Sequence, residues 1–237
     1  MRKEARPIRW IAFDADDTLW HNERFFQAEQ DRFAALLAPY CDAPDLMDRL
    51  LAAERRNLGH YGFGIKGFVL SMIETALEVT DNAVPGAVIA ELLGAGREML
   101  DHPIELLPHA RDAVKAARTY APVCLITKGD LLHQERKLAQ SGLGDLFDRV
   151  EIVSDKAPGT YARIFGEDIP HAMMIGNAMK SDVVAMIDAG GWGVFVPHGL
   201  EWAIEAAPAP TGHPRYAQIP DLGALPVLLD RIMGPGG

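Results

Sequence analysis

The sequence predicts an α/β fold, a doubly wound parallel sheet of the Rossmann-like type with an inserted all-helical domain. Five short apolar runs, each ending in a polar or glycine-rich turn, are the candidate strands, and helical periodicity fills the intervals from the second run onward. Strands that alternate with helices are typical of βαβ units, whose right-handed crossovers place helices on both faces of a parallel sheet. The first interval differs, because about 80 residues there carry amphipathic helical patterns and no convincing strand. The runs cover residues 8–13, 122–126, 149–153, 172–175 and 192–196.

Local patterns predict the helices and the domain limits. The Rossmann-like core is expected to contain residues 1–20 and 103–237, and the helical domain residues 21–102. In the helical domain, the predicted helices cover 23–37, 43–58, 67–77 and 84–99. In the core, they cover 107–120, 131–141, 183–189 and 222–233, followed by a disordered tail at 234–237. Segment 131–141 carries three leucines on one side and charged residues elsewhere, the pattern of an amphipathic helix.

Composition narrows the classes of protein. Of 237 residues, 23 are Lys or Arg and 33 are Asp or Glu, so the net charge is −10 and no basic surface for nucleic acid is indicated. No apolar stretch is long enough to cross a membrane, and the run near the N-terminus is too short for a signal peptide. Cys41 and Cys124 lack the spacing of a zinc site or a disulfide framework. We therefore expect a cytoplasmic protein, and nothing in the sequence indicates its oligomeric state.

Polar side chains follow the first four predicted strands. In open α/β sheets, ligands bind outside the carboxyl ends of the strands, so these side chains should converge on one rim. Carboxylates that lie close together repel each other by several kcal/mol at about 4 Å, so such a cluster requires a cation. Oxygen ligands of this kind favour Mg²⁺ over zinc or copper. The rim residues are Asp14 and Asp16, Thr127 and Lys128, Lys156, and Asn177 and Asp182.

These residues resemble the four ordered motifs of the haloacid dehalogenase superfamily, in its phosphatase branch. The first motif is Asp14-Ala-Asp16-Asp-Thr, and the insert that follows it is similar to the type-one cap of that superfamily. The resemblance covers nearly the whole chain and implies a Mg²⁺-dependent phosphatase. Its substrate would be a small phosphorylated metabolite, hydrolysed through an aspartyl-phosphate intermediate, under a cap that closes and excludes bulk water.

The resemblance also implies a role for each motif. Asp14 would attack phosphorus, and Asp16 would protonate the leaving oxygen and later deprotonate water. Crowding with other carboxylates is expected to raise the pKa of Asp16 toward neutrality. Thr127 and the backbone amides that follow it, including that of Gly129, would hold phosphoryl oxygens. Lys156 would pair with Asp14 and the phosphoryl group.

The implied magnesium ligands are Asp14, the backbone carbonyl of Asp16, Asn177 and Asp182. Asn177 departs from the motif, which often has Asp there, so we expect weaker metal affinity rather than loss of activity. Lys128 departs as well, because Asn is frequent after the Thr of the second motif. Its ammonium either adds positive charge beside the phosphate or points to solvent. In the insert, Lys66 and two aromatic residues of segment 59–67 either contact the leaving group or form a turn packed on its own core.

Several other functions share part of this pattern. A haloacid dehalogenase uses the same Asp nucleophile but does not require a carboxyl two residues later, so Asp16 favours phosphoryl transfer. A phosphomutase would carry all four motifs. A member that binds a phosphorylated ligand without turnover is favoured only by Asn177, since Asp14, Asp16 and Lys156 are all present. A receiver domain also has a phospho-accepting Asp, but it is about half this length and has no insert.

Overall fold

A computed structural model describes residues 8–234, so the basic N-terminal segment and residues 235–237 of the predicted tail lie outside it. Within that range, the sheet has six strands, all parallel, in the order β3-β2-β1-β4-β5-β6. This is the doubly wound order, and it confirms the predicted fold class. The strands are β1 Trp10–Phe13, β2 Val123–Lys128, β3 Arg149–Val153, β4 Ala172–Gly176, β5 Trp192–Phe195 and β6 Tyr216–Gln218.

The winding of the sheet reverses between β1 and β4. Ile11 of β1 is in register with Val123 of β2 on one side and with Met173 of β4 on the other. Just beyond β1, the backbone N–H of Asp14 donates to the carbonyl of Ile175 at 2.8 Å. Because ligands of such sheets bind at the reversal point, the segments after β1 and β4 are where a site is expected.

Helices cover both faces of the sheet, since alternate residues of each strand point to opposite sides. Phe13 and Leu125 belong to one apolar core with α5 and α9, whereas Ala12 and Ile126 belong to a second core with α7 and α8. Both faces of β1, β2 and β4 are almost wholly buried, so these strands read as nearly continuous apolar runs. The core helices are α5 Ala110–Ala117, α6 Leu131–Ser141, α7 Pro158–Phe165, α8 Ala185–Asp188 and α9 Leu225–Met233, and those of the insert are α1 Glu23–Leu37, α2 Leu46–Tyr61, α3 Ile65–Val79 and α4 Gly86–Asp101.

Helix α6 reverses the usual polarity of an amphipathic helix. Leu131 and Leu132 are exposed, and the buried residues of this helix are His133, Gln134, Lys137 and Ser141. These four polar residues follow helical spacing, so they share one face. A buried polar face must find partners inside the protein, because an unsatisfied polar group there is destabilising by about 1–3 kcal/mol. Leucine spacing alone therefore does not identify the inward face of α6.

Two further elements differ from the sequence prediction. The edge strand β6 is only three residues long and follows a proline-rich loop, so no apolar run marks it. The helix predicted over 183–189 begins earlier, as a π-helical turn over Met179–Val184, and continues as the short α8. Turns of this kind occur frequently at functional sites.

The chain leaves the core and returns to it along two hydrogen-bonded segments. Trp20 forms an antiparallel bridge with Leu106, and the N–H of His21 donates to the carbonyl of Glu105 at 3.0 Å. The N–H of Leu107 donates to the carbonyl of Leu19 at 2.9 Å. The two ends of the inserted domain therefore lie side by side.

The described chain divides into two compact units. The first contains the residues up to His21, Ile104–Lys128 and the residues from Gln134 onward. The second contains Asn22–Pro103 and Gly129–His133, and its apolar core is formed by α1 to α4. Among the helices of residues 8–234, none combines the length and apolar character needed to cross a membrane.

The packing of α3 against α4 predicts opposite effects for two glycines of one helix. A Cβ at Gly96 would lie 2.6 Å from the Cγ2 of Val69, whereas a Cβ at Gly94 would have no neighbour within 4 Å. Gly94→Ala should stabilise the protein by about 0.5–1 kcal/mol through helix propensity. Gly96→Ala should destabilise it by about 1–3 kcal/mol, because the β-branched Val69 has little rotamer freedom. Denaturant unfolding of both variants tests this, and equal stabilisation by the two would contradict the packing.

Candidate active site

The centre of the site is the ammonium of Lys156, which lies between two carboxylates. Its Nζ donates to Oδ1 of Asp14 in a short contact and to Oδ1 of Asp182 at 2.7 Å. All three side chains are buried, with Asp182 wholly inaccessible and Lys156 at 3% exposure. Asp14 follows β1, Lys156 follows β3 and Asp182 lies in the turn after β4, so the sheet brings together residues from three distant parts of the chain.

The backbone after β4 is shaped to receive Asp182. A Cβ at Gly176 would lie 2.1 Å from Oδ2 of Asp182, so only glycine leaves room for this carboxylate. The same oxygen accepts the N–H of Ala178 at 3.0 Å. Tyr161 of α7 stabilises the turn, because its hydroxyl donates to the carbonyl of Ser181 at 2.8 Å.

Thr18 connects the first and fourth motifs. Its Oγ1 lies 3.1 Å from Oδ2 of Asp14 and 3.2 Å from Oδ1 of Asn177, and it accepts the N–H of Asn177 at 3.0 Å. A hydroxyl has one proton, so it can donate to only one of the two oxygens at a time. Thr18 therefore orients both the Asp14 carboxylate and the Asn177 amide.

The charges at this centre do not balance. Two carboxylates face one ammonium, which leaves one net negative charge among Asp14, Asp182 and Lys156. Burial acts to raise the pKa of Asp14, the ammonium of Lys156 acts to lower it, and the negative charge of Asp182 acts to raise it. The net result is a pKa of about 7. For Lys156, burial acts to lower the pKa, but the two carboxylates outweigh it and the pKa is raised. A cation would remove the remaining imbalance.

Asp16 is held apart from this centre by three donors. Its Oδ1 accepts the indole N–H of Trp20 at 2.6 Å and the ammonium of Lys137 at 2.7 Å. Its Oδ2 accepts Nε2 of Gln134 at 2.9 Å. Gln134 and Lys137 lie on the buried polar face of α6, so Asp16 is the partner that this face requires.

The expected rise in the pKa of Asp16 is wrong. Burial does act to raise it, but the ammonium of Lys137 and hydrogen bonds from Lys137, Gln134 and Trp20 outweigh burial, and the pKa is lowered. The expectation considered only neighbouring carboxylates. It missed Lys137, a residue outside the four motifs, whose positive charge stabilises the ionised form of Asp16.

The second motif ends at Thr127 and Lys128. The hydroxyl of Thr127 is buried and lies 3.2 Å from Nε2 of Gln134. Lys128 does not point to solvent, one of its two expected orientations. Its ammonium forms a short ion pair with Glu205 and lies 3.1 Å from Oγ of Ser181. Burial acts to raise the pKa of Glu205, but Lys128 outweighs it and the pKa is lowered.

Two other predicted binding residues belong to the second compact unit. Gly129 has φ of 135°, a conformation that favours glycine, and it begins the short segment that groups with the inserted helices. The ammonium of Lys66 is exposed and pairs with Asp130 at 2.8 Å. The carboxylate of Asp130 also accepts the N–H of His133 at 3.2 Å, which caps the start of α6.

The residues after β1 and β4 fit a hard divalent cation. Asp14 and Asp182 supply carboxylate oxygens with one excess negative charge, and Asn177 supplies an amide oxygen. Asp16 would contribute through its backbone carbonyl, since Trp20, Gln134 and Lys137 occupy its side chain. Within residues 8–234, no three or more His, Cys, Asp or Glu side chains are grouped as a metal site. The expected ligand set requires only two carboxylate side chains and is completed by neutral oxygens.

The buried Asp–Lys–Asp centre lies at the reversal point of a doubly wound α/β sheet, where ligands of such sheets bind. A family model described as haloacid dehalogenase-like hydrolase matches residues 8–190. The chain belongs to this family and is a hydrolase of the haloacid dehalogenase superfamily, as the four motifs predicted.

Solved structures support this assignment. A haloacid dehalogenase-like family hydrolase from Xanthomonas campestris is 39% identical, with a TM-score of 0.86 over 98% of this chain and 95% of that one. YfnB of Bacillus subtilis, solved bound to magnesium, is 16% identical, with a TM-score of 0.65 over 95% and 100% of the two chains. The L-2-haloacid dehalogenase of Xanthobacter autotrophicus, with chloropropionic acid covalently bound, is 14% identical, with a TM-score of 0.62 over 94% and 98%. The latter two show the fold alone, and a comparison with curated proteins finds no match.

Sequence reasoning missed several residues around the motifs. Thr18 was part of the first motif but was assigned no contact. Gln134 and Lys137 are three residues apart on a helix that directly follows the second motif, and this spacing of polar residues was the available signal. Glu205 lies in a loop without a motif, and no sequence pattern connects it to Lys128.

The raised pKa of Asp14 predicts a stabilising substitution at the centre of the site. A carboxyl whose pKa rises from 3.8 to about 7 on folding contributes stability below about pH 4 and loses it as the pH rises through 7. Asp14→Asn removes this titration and balances Lys156 with Asp182. We expect the gain in stability to be larger at pH 8 than at pH 5 by on the order of 3 kcal/mol, measured by thermal unfolding in EDTA. The exposed Asp31→Asn is the control, and an equal shift at both pH values would contradict the assignment.

Proposed function

We propose that this hydrolase is a phosphatase that hydrolyses a small phosphorylated metabolite through an aspartyl-phosphate on Asp14. The observation that carries the proposal is the different surroundings of two carboxylates, Asp14 and Asp16, that are two residues apart. Asp14 lies against Lys156, and Asp16 is held separately by donors of its own. Phosphoryl transfer needs both a nucleophile and an acid–base group, whereas dehalogenation by a carboxylate does not require the second at this position.

In the first step, an oxygen of Asp14 forms a bond to phosphorus while the bond from phosphorus to the ester oxygen breaks. The leaving oxygen takes a proton from the carboxyl of Asp16. The hydrogen bonds from Lys137 and Gln134 favour the ionised form of Asp16, so it must first gain that proton. Negative charge on an entering phosphate acts in this direction, because a nearby like charge raises the pKa of a carboxyl.

In the second step, Asp16 accepts a proton from water as the water oxygen bonds to phosphorus. The bond between phosphorus and Asp14 breaks, which releases inorganic phosphate and restores the carboxylate. The donors around Asp16 lower its pKa and so favour the ionised form, which is the form that the second step requires. Its surroundings therefore support the role of base directly.

Lys156 keeps Asp14 oriented and offsets part of the negative charge that would repel an anionic substrate. Thr127 and the amide of Gly129 are the proposed phosphoryl donors, and Lys128 and Lys66 are the other proposed substrate-binding residues. Asp14, the carbonyl of Asp16, Asn177 and Asp182 would hold Mg²⁺, which when bound supplies charge neutralisation for the phosphoryl group. The limited exposure of Asp14, 7%, favours a small substrate over a phosphate on a protein surface.

The first experiment is hydrolysis of 4-nitrophenyl phosphate, with Mg²⁺ and with EDTA. We expect metal-dependent release of phosphate that falls by about a thousandfold or more in Asp14→Asn, because the nucleophile is lost. The variant should remain folded. Equal activity of wild type and Asp14→Asn would overturn the assignment of the nucleophile.

The same preparations should be incubated with 2-chloropropionate, and chloride release measured. We expect none above background for the wild type. Chloride release that depends on Asp14, without phosphate release, would replace the proposal with dehalogenation. A panel of phosphorylated metabolites then decides between a hydrolase with a narrow substrate and a member that binds its ligand without turnover.

The metal assignment gives a separate prediction. Asp182→Asn removes one of the two carboxylates of the proposed magnesium site, so half-maximal activity should require at least about tenfold more Mg²⁺. The matched control is Asp17→Asn, which alters a neighbouring acid outside the proposed ligand set. An unchanged magnesium titration for Asp182→Asn would remove this residue from the site.

A further inference from the structure

We propose that Lys137 and Gln134 are positioning residues, which hold the Asp16 carboxylate so that its Oδ2 carries the proton during hydrolysis of the aspartyl-phosphate. This inference rests on the proposed function. Neither residue belongs to the four motifs, and both act through Asp16 rather than on substrate.

The hydrogen bonds to Asp16 are unequal between its two oxygens. Oδ1 accepts two donors, Nε1 of Trp20 at 2.6 Å and Nζ of Lys137 at 2.7 Å. Oδ2 accepts one, Nε2 of Gln134 at 2.9 Å. An ionised carboxylate offers about four acceptor positions, two on each oxygen. Among the donors of residues 8–234, Oδ1 is therefore saturated, and the remaining position lies on Oδ2.

The side chains that hold Asp16 are themselves fixed. Lys137 is 6% exposed and Gln134 is 4% exposed, and they lie three residues apart on α6. Nε2 of Gln134 is also 2.6 Å from the carbonyl of Lys128 and 3.2 Å from Oγ1 of Thr127. Gln134 thus connects Asp16 with the end of β2, where a phosphoryl group is expected to bind.

The exposed leucines of α6 show that its polar residues form the inward face of the helix. A helix that served only to cover the sheet would bury Leu131 and Leu132 and expose Lys137. Helix α6 does the reverse, and burying an ammonium is unfavourable unless it is paired. The ion pair with Asp16 at 2.7 Å provides that partner. The polar face of α6 is therefore best explained by the carboxylate that it orients.

The two steps of the reaction should respond differently to the loss of this support. The 4-nitrophenolate ion leaves readily, so the first step with 4-nitrophenyl phosphate needs little help from Asp16. The second step needs Asp16 oriented toward water. A misplaced Asp16 should therefore slow hydrolysis of the aspartyl-phosphate more than its formation.

The test compares Lys137→Met with Lys137→Arg, and uses the exposed Lys115→Met as a matched control. For Lys137→Met we expect kcat to fall about tenfold or more, KM to stay level or fall, and a burst of 4-nitrophenolate followed by a slow steady state. Lys137→Arg, which keeps the charged donor, should recover most of kcat, and Lys115→Met should match wild type. Gln134→Leu should resemble Lys137→Met.

A second readout does not depend on activity. Trp20 is one of four tryptophans, so its indole N–H gives one of four side-chain signals in a ¹H–¹⁵N spectrum, identified with Trp20→Phe. Because this N–H donates to the same oxygen as Lys137, its signal should shift in Lys137→Met, and those of Trp10, Trp192 and Trp202 should not. The spectrum also shows whether each variant is folded.

The outcomes separate the two proposals. If wild type hydrolyses neither 4-nitrophenyl phosphate nor any compound of the metabolite panel, the proposed function fails, and the Trp20 signal still decides whether Lys137 holds Asp16. A folded Lys137→Met with wild-type kcat, or with raised KM and no burst, overturns the positioning role. An unmoved Trp20 signal overturns the geometry itself.

Discussion

The structure of the site depends on a single buried ammonium. Lys156 joins the ends of β1 and β4 through Asp14 and Asp182, and without it two carboxylates would face each other away from water. One positive charge against two negative ones leaves the centre anionic. Burial, together with the charge of Asp182, raises the pKa of Asp14, and the excess negative charge makes the same oxygens suitable for a divalent cation. In the proposed function, a cation bound there would allow the centre to receive a phosphate, which an uncompensated carboxylate would repel.

The two carboxylates of the first motif illustrate how neighbouring residues acquire different chemistry. Asp14 and Asp16 share a turn, yet their pKa values shift in opposite directions. Burial raises the pKa of Asp14, whereas at Asp16 the ammonium of Lys137 outweighs burial and the pKa is lowered. Carboxylates whose environments separate their pKa values can take different roles in one reaction. In this chain the separation comes from α6, which follows the second motif and contacts the first.

The fold was predictable because buried parallel strands produce continuous apolar runs, and five of the six strands did so. The three-residue β6 at the sheet edge has no such run. Ordered motifs at strand ends identified Asp14, Lys156 and Asp182, since topology brings those ends together. The contacts of Asp16 and Lys128 were not predictable in this way, because their partners, Lys137 and Glu205, belong to none of the four motifs. Burial of a polar helix face is a tertiary property that leucine periodicity conceals.

The antiparallel bridge between Trp20 and Leu106 joins the two segments that connect the insert to the core, and it affects how readily the insert could be replaced. Since the chain leaves and re-enters the core at adjacent positions, a short turn could replace the whole insert without moving β1 or β2. The free energy of closing a loop grows only slowly with its length, by about 0.6 kcal/mol per doubling, so inserts of very different size are tolerable at this point. The helical domain can therefore be exchanged at this point, by natural insertion or by design, while the parallel sheet stays intact.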